Sequence, residues 1–261
     1  MSRSNSSHLN LGSIVGSITI CVVAATLSAS GDESAASKAI VSVPAEDLAN
    51  QLHSIVARLD DLLAKPDEFD EARKSRIAKE AGIAAVAALG LGMSEQEYPL
   101  KRSASSALAA AQALAKAEDY AAAKQALASL KQAVDGQPSP TAATRQLRWE
   151  PVAPLWLLMK EVPVVNSSLK RAVQGERFKS QTKTSAAAAA TLAAIAQEAA
   201  TDHDAIKKPA DLPTWEQYCA EMRDAAGRVN QAIHASNAAD TQRAMAQLAQ
   251  SCDHCHRAFR K

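Results

Sequence analysis

From Trp215 onward the apolar residues Trp215, Cys219, Met222, Ala226, Val229 and Ile233 step by 4, 3, 4, 3 and 4 positions, the rhythm that keeps one side of an α-helix against a neighbour. Tyr120, Ala123, Leu127, Leu130 and Val134 do the same at 3, 4, 3 and 4, and Met245, Leu248, Cys252, Cys255 and Phe259 repeat that series. Such seams are buried by laying helix on helix. Alanine supplies about a fifth of the chain, while aromatics reach only 3% and Gly totals 9. That balance favours helix and starves strands of the β-branched and aromatic residues they need. The expected fold class is all-α.

The remaining punctuation divides the chain. Residues 1–30 read as a signal peptide: Arg3 precedes an uncharged run from Leu11 to Leu27, and Ser28-Ala29-Ser30 suits cleavage after Ser30. An uncleaved anchor is the alternative. A lipid anchor on Cys21 is disfavoured by the bulky Ile20 before it. No other uncharged stretch approaches the roughly 20 residues of a membrane span, so the mature chain is expected to be exported, periplasmic and without a span. Residues 31–43 read as a polar tether and 44–136 as a first four-helix bundle. Its helices run from Ala45 through Leu63, from Glu71 to Leu91 with Gly90 and Gly92 as the stop, through the alanine-rich run to Ala117, and on to Val134. Residues 137–149, opening with Gln137-Pro138-Ser139-Pro140, read as a linker, and 150–261 as a second bundle. There the helices are Pro151 to Val173, kinked at Pro163 and stopped by Gly175, then Thr184 to Thr201, a third opened by Asp211-Leu212-Pro213-Thr214, and a last one at the carboxy terminus. The architecture expected is two tandem antiparallel four-helix bundles. A formal net charge of +1 supplies no field for nucleic acid.

The last helix carries the chemistry. Cys252-Asp253-His254-Cys255-His256 is a C-x-x-C-H run, the attachment pattern of c-type haem. Residues three apart share a helix face, so both thiols can meet one edge of a flat porphyrin, with His256 following as proximal iron ligand. Covalent attachment of one haem c also agrees with an exported chain. Three other readings are weaker. A thioredoxin-like pair needs a helix N-terminus after a strand. A zinc site needs a second, distant ligand pair. A Cys252–Cys255 disulfide makes a strained loop inside a helix. Cys219 belongs to a seam and reads as core. Of the other histidines, His53 and His203 lack a spaced partner, His234 reads as a surface or satisfied residue with a minor claim as sixth iron ligand, and His254 is expected to face solvent. Laying Ala126-Leu127-Ala128-Ser129-Leu130 over Ala244-Met245-Ala246-Gln247-Leu248 sets Val134 on Cys252, Gln137 on Cys255 and Pro138 on His256. The first half therefore reads as a repeat that keeps the framework and lacks the site.

Residues 151–261 resemble the cytochrome c-prime family. The resemblance rests on Leu158-Met159-Lys160, Leu169-Lys170-Arg171-Ala172-Val173-Gln174-Gly175, the alanine-rich second helix and Cys252-Asp253-His254-Cys255-His256-Arg257-Ala258-Phe259-Arg260. It implies that Met159 lies over the distal face of the iron and that Arg260 stands beside the proximal imidazole. Where family members often carry a propionate-binding arginine, this chain has Leu155. The expected function is non-enzymatic: single-electron transfer by a monohaem cytochrome with a redox partner protein. With the sixth position open, the resemblance implies nitric oxide binding instead. It also implies either a homodimer or a monomeric pseudo-dimer in which the haemless half covers the family's pairing surface.

Overall fold

Some helices begin here where a side chain or a proline deals with the free backbone amides. The computed structural model describes residues 42–139, 146–175 and 177–260. Among these, eight long helices carry the fold: α1 (Ala45–Leu62), α2 (Ala78–Met93), α3 (Ala104–Ala115), α4 (Tyr120–Val134), α5 (Leu155–Ala172), α6 (Thr182–Thr201), α7 (Leu212–His234) and α8 (Ala238–Phe259). No strand occurs among the described residues, and the chain is all-α. The signal peptide, the tether as far as residue 41 and residues 140–145 of the expected linker lie outside the described residues. Asp119 accepts a hydrogen bond from Ala122 N at 2.8 Å to start α4, Asn237 accepts from Asp240 N at 3.0 Å to start α8, and Pro213 sits in the first turn of α7. Gly136 (φ 82°) follows α4 and Gly175 (φ 58°) follows α5, both in the left-handed region where a Cβ is strained.

Two expected features differ. The second helix is reached through a 3₁₀ turn at Pro66–Glu68, one α-turn at Phe69–Ala72 and a π turn at Arg73–Ile77. It then runs through both Gly90 and Gly92 to Met93. Those glycines are not stops. A Cβ on Gly90 would stand 3.2 Å from Leu48 Cδ1 and 3.3 Å from Ala194 Cβ, so its bare backbone lets α1, α2 and α6 approach closely.

The seams are buried as their spacing requires. Trp215, Cys219, Met222, Ala226, Val229 and Ile233 are all in the interior, as are Ala123, Leu127, Leu130 and Val134. Tyr120 is half-buried, and its hydroxyl donates to Leu63 O at 2.7 Å. In the first half α1 packs on α2, α2 on α3, α3 on α4, and α1 returns to α4. In the second half α6, α7 and α8 pack in series.

The halves meet on α6. Residues 185–200 of this helix are buried except Ala188, because α1, α2, α5 and α7 all pack against it. Alanine suits a helix enclosed in this way, since it adds little bulk and loses no side-chain entropy on burial. Buried residues of both halves form one hydrophobic cluster, which includes Trp149 from the end of the expected linker. Polar ties reinforce it. Asp47 of α1 accepts from Asn230 Nδ2 at 2.6 Å and lies 2.7 Å from His234 Nε2 on α7, while Lys79 of α2 pairs with Glu161 of α5 at 2.8 Å. His234 is thus engaged with α1. By contrast, α5 leans on α6 and α2 rather than on α7 or α8, and that stand-off creates the site.

Candidate functional site

Where α5 stands away from α7 and α8, the chain leaves a cavity of about 1280 Å³, larger than the roughly 300–1,000 Å³ of ordinary small-molecule clefts. The helical seam of α8 explains which residues reach it. Met245 and Leu248 are packed in the core, and two turns later the same face emerges as half-buried Cys252 and Cys255. Both cysteines are free thiols and both line the cavity, with exposed His256 beside them. Met159 of α5 lines it too and packs on the cluster formed by Ala199, Ala200, Trp215 and Cys219, against which Cys255 and Phe259 also pack. Arg260, just past the end of α8, lies on its edge. All five residues singled out from the sequence therefore meet at one cavity. Its lining also includes Leu155 at the position where an arginine is missing.

An aromatic brace holds the end of α8. Trp215 Nε1 donates to Ala199 O at 2.8 Å, fixing the indole against α6. Phe259 meets Trp215 edge to face at 5.1 Å between ring centres and Tyr218 at 6.2 Å. His254, expected in solvent, is half-buried near the Tyr218 ring and lies 3.9 Å from Glu221.

The thiols are electrically quiet. Burial pushes Cys255 up to about 11, helped by the neighbouring Cys252, and burial also raises Cys252 against the opposing hydrogen bond with Ser251. Burial drives Cys219 higher still. A thioredoxin-type thiol needs the reverse, a lowered pKa. Among the described residues no group of three or more His, Cys, Asp or Glu is placed to hold a metal ion, so a preformed tetrahedral zinc site is not built here. The donor set is two neutral thiols three residues apart, an imidazole and a facing thioether.

Three participants were not foreseen. Gln112 of α3 and Lys116 just past its end line the cavity, and Gln112 Nε2 donates to Val152 O at 3.2 Å. The first half therefore supplies part of the wall. Glu198 of α6 is fully buried; its Oε1 accepts from Val152 N at 2.9 Å and Ala153 N at 3.3 Å, while Oε2 has no partner. Burial lifts this carboxyl to about 7 in spite of the two amides. Its signal in the sequence was its position as the single charge between Thr184 and Thr201. Gln112 and Lys116 carried no signal, because only the packing of the halves brings α3 to this place. In comparisons with protein-family models, curated proteins and solved structures, nothing matches this chain.

Proposed function

We propose that the chain is an exported monohaem c-type cytochrome of the cytochrome c-prime kind, acting in single-electron transfer. The observation that carries this reading is the convergence of Cys252, Cys255, His256 and Met159 on one large cavity. The residues present fit the group. Cys252 and Cys255 would hold the group through two thioether links, each S–H adding across one vinyl, and the raised pKa that burial gives both thiols argues against thiolate ligation or redox exchange. His256 of α8 would supply the imidazole for the iron, and Met159 of α5 would offer a thioether. When bound, the haem iron supplies the one-electron couple. The protein's part is to fix the imidazole on a braced helix and to keep water from the ring with Trp215, Phe259 and Met222. Lys116, Lys160 and Arg260 line the cavity alongside Asp202 and Asp204 and are the cations that would meet the porphyrin's carboxylates, in place of the arginine that Leu155 replaces.

A second reading has its own support. Met159 is already engaged in packing on the Trp215 and Cys219 cluster, as expected of a core methionine. If it stays there, the sixth position is open and the protein binds nitric oxide. The covering of α6 by α1 and α2, with α2 also on α5, supports a monomeric pseudo-dimer.

Expression in a host with cytochrome assembly, followed by a pyridine haemochrome assay under denaturing conditions, is expected to show one covalently held haem per chain. Met159→Ala is then expected to convert a low-spin spectrum with a sulfur–iron band to a high-spin one. A colourless product ends the cytochrome reading. A wild-type spectrum that is high-spin and unmoved by the substitution replaces electron transfer with gas binding.

A further inference from the structure

Glu198 has no task in the site as described, yet its placement is unusual. It is buried on α6, whose other charged residue, Lys183, is exposed in the first turn, and its chain neighbours Ala196, Ala199 and Asp202 line the cavity. So do Val152 and Ala153, whose amides it holds through Oε1. The carboxyl therefore lies directly behind the cavity wall. We infer that Glu198 is a proton-binding site coupled to the charge of the cavity's occupant, taking up one proton when the haem gains an electron and releasing it when the electron leaves. This rests on the cytochrome reading and extends it from electron transfer to transfer of an electron together with a proton.

Three features carry the coupling. First, the group can change state without rearranging its contacts: Oε1 keeps both amides, and the proton comes and goes at Oε2, which has no other partner. Second, the side chain is closed off from bulk solvent, so one unit of charge added or removed behind the cavity wall acts on it strongly. Third, no cation is paired with it. Just past the end of α6, Asp202 opposes its ionisation. On α7 Arg223 is turned to Gln197 Oε1 and Asp224, each at 2.9 Å, Glu216 lies 4.0 Å from His203, and Cys219 is a neutral thiol. Ahead of α5 Glu150 is paired with Arg148 at 3.0 Å; on α5 Lys160 sits over Trp156 at 4.7 Å and Glu161 is taken by Lys79 of α2. On α1 Asp47 is held by Asn230 and His234, and Lys116, just past the end of α3, lines the cavity.

The balance is simple. Ferric haem carries one more positive charge than ferrous haem and favours the carboxylate; reduction by one electron from a donor protein removes that charge, and one proton from water neutralises Glu198. The group's unloaded midpoint near 7 places the exchange in an accessible range.

The test is a potentiometric titration of the haem-loaded full chain between about pH 5 and 9. The midpoint potential is expected to fall as pH rises, by at most about 59 mV for each tenfold fall in proton activity in a one-electron couple, and E198Q is expected to flatten it. In a ferrous-minus-ferric infrared difference spectrum, a protonated carboxyl band is expected in the wild type and absent in E198Q. D202N, at a less buried position, is expected to keep the slope and move its window to lower pH, which preserves the test should E198Q not fold. A flat wild-type potential, a slope that survives E198Q, or a window unmoved by D202N overturns the inference while leaving a coloured cytochrome intact. A colourless chain overturns the cytochrome reading itself, and this inference with it.

Discussion

The two halves answer the same packing problem in opposite ways. Helices α1–α4 close on themselves and fill their interior with Leu48, Leu52, Ile55, Leu59, Leu108, Leu127 and Leu130. Lys131 and Asp60, paired at 2.6 Å, bind α4 to α1. Helices α5–α8 stay open, with Ala196, Ala199, Cys219, Cys252, Cys255, Met159 and Met222 among the residues around a space. The helix ends differ too. Gly136 turns the chain out of α4 at the register of His254, whereas α8 continues to Phe259. Without those extra turns the first half has no helical face for a second thiol and an imidazole. One core is filled by the chain's own side chains, and the other leaves a cavity of about 1280 Å³.

The largest effect expected from breaking that difference comes from replacing both Cys252 and Cys255 with alanine. Haem retained after denaturing extraction is expected to fall to none, while far-UV circular dichroism stays helical, because neither thiol anchors the packed core. Next is Leu130→Ala in the filled half. Deleting a wholly buried leucine costs about 2–5 kcal/mol, read as a lower urea midpoint, with the haem spectrum unchanged; a spectral shift would show that the halves are not separable in this respect. The smallest is Gly136→Ala, where a left-handed backbone position makes the added Cβ cost about 1 kcal/mol. A fall in thermal midpoint with colour retained fits the account. No loss of stability would mean that the turn after α4 is not fixed by this glycine.

Much of this was legible in the residues. A seam at steps of 3 and 4 fixes which side of a helix is hidden, so α7 and α4 could be read almost position by position, and the C-x-x-C-H run marked one wall of the cavity. The alanine run of α6 showed a helix but not its neighbours, since a helix apolar on every side points nowhere in particular. Gly90 and Gly92 looked like terminators because glycine is a poor helix former, yet close packing against Leu48 and Ala194 outweighed that preference. Pro163 was expected to kink α5 and lies inside a helix that continues to Ala172, as proline-kinked helices can. The contributions of Gln112, Lys116 and Glu198 needed the tertiary arrangement, because each acts across elements distant in the chain.

The enclosure of α6 determines which part of the molecule can give way. A rod hemmed in by four others has no freedom to roll or slide, so it serves as a fixed jaw. The opposing jaw is α5, with its interior proline and its support on only one side. On the proposed reading, a large flat guest would be accommodated by α5, and the Met159 sulfur would travel with it.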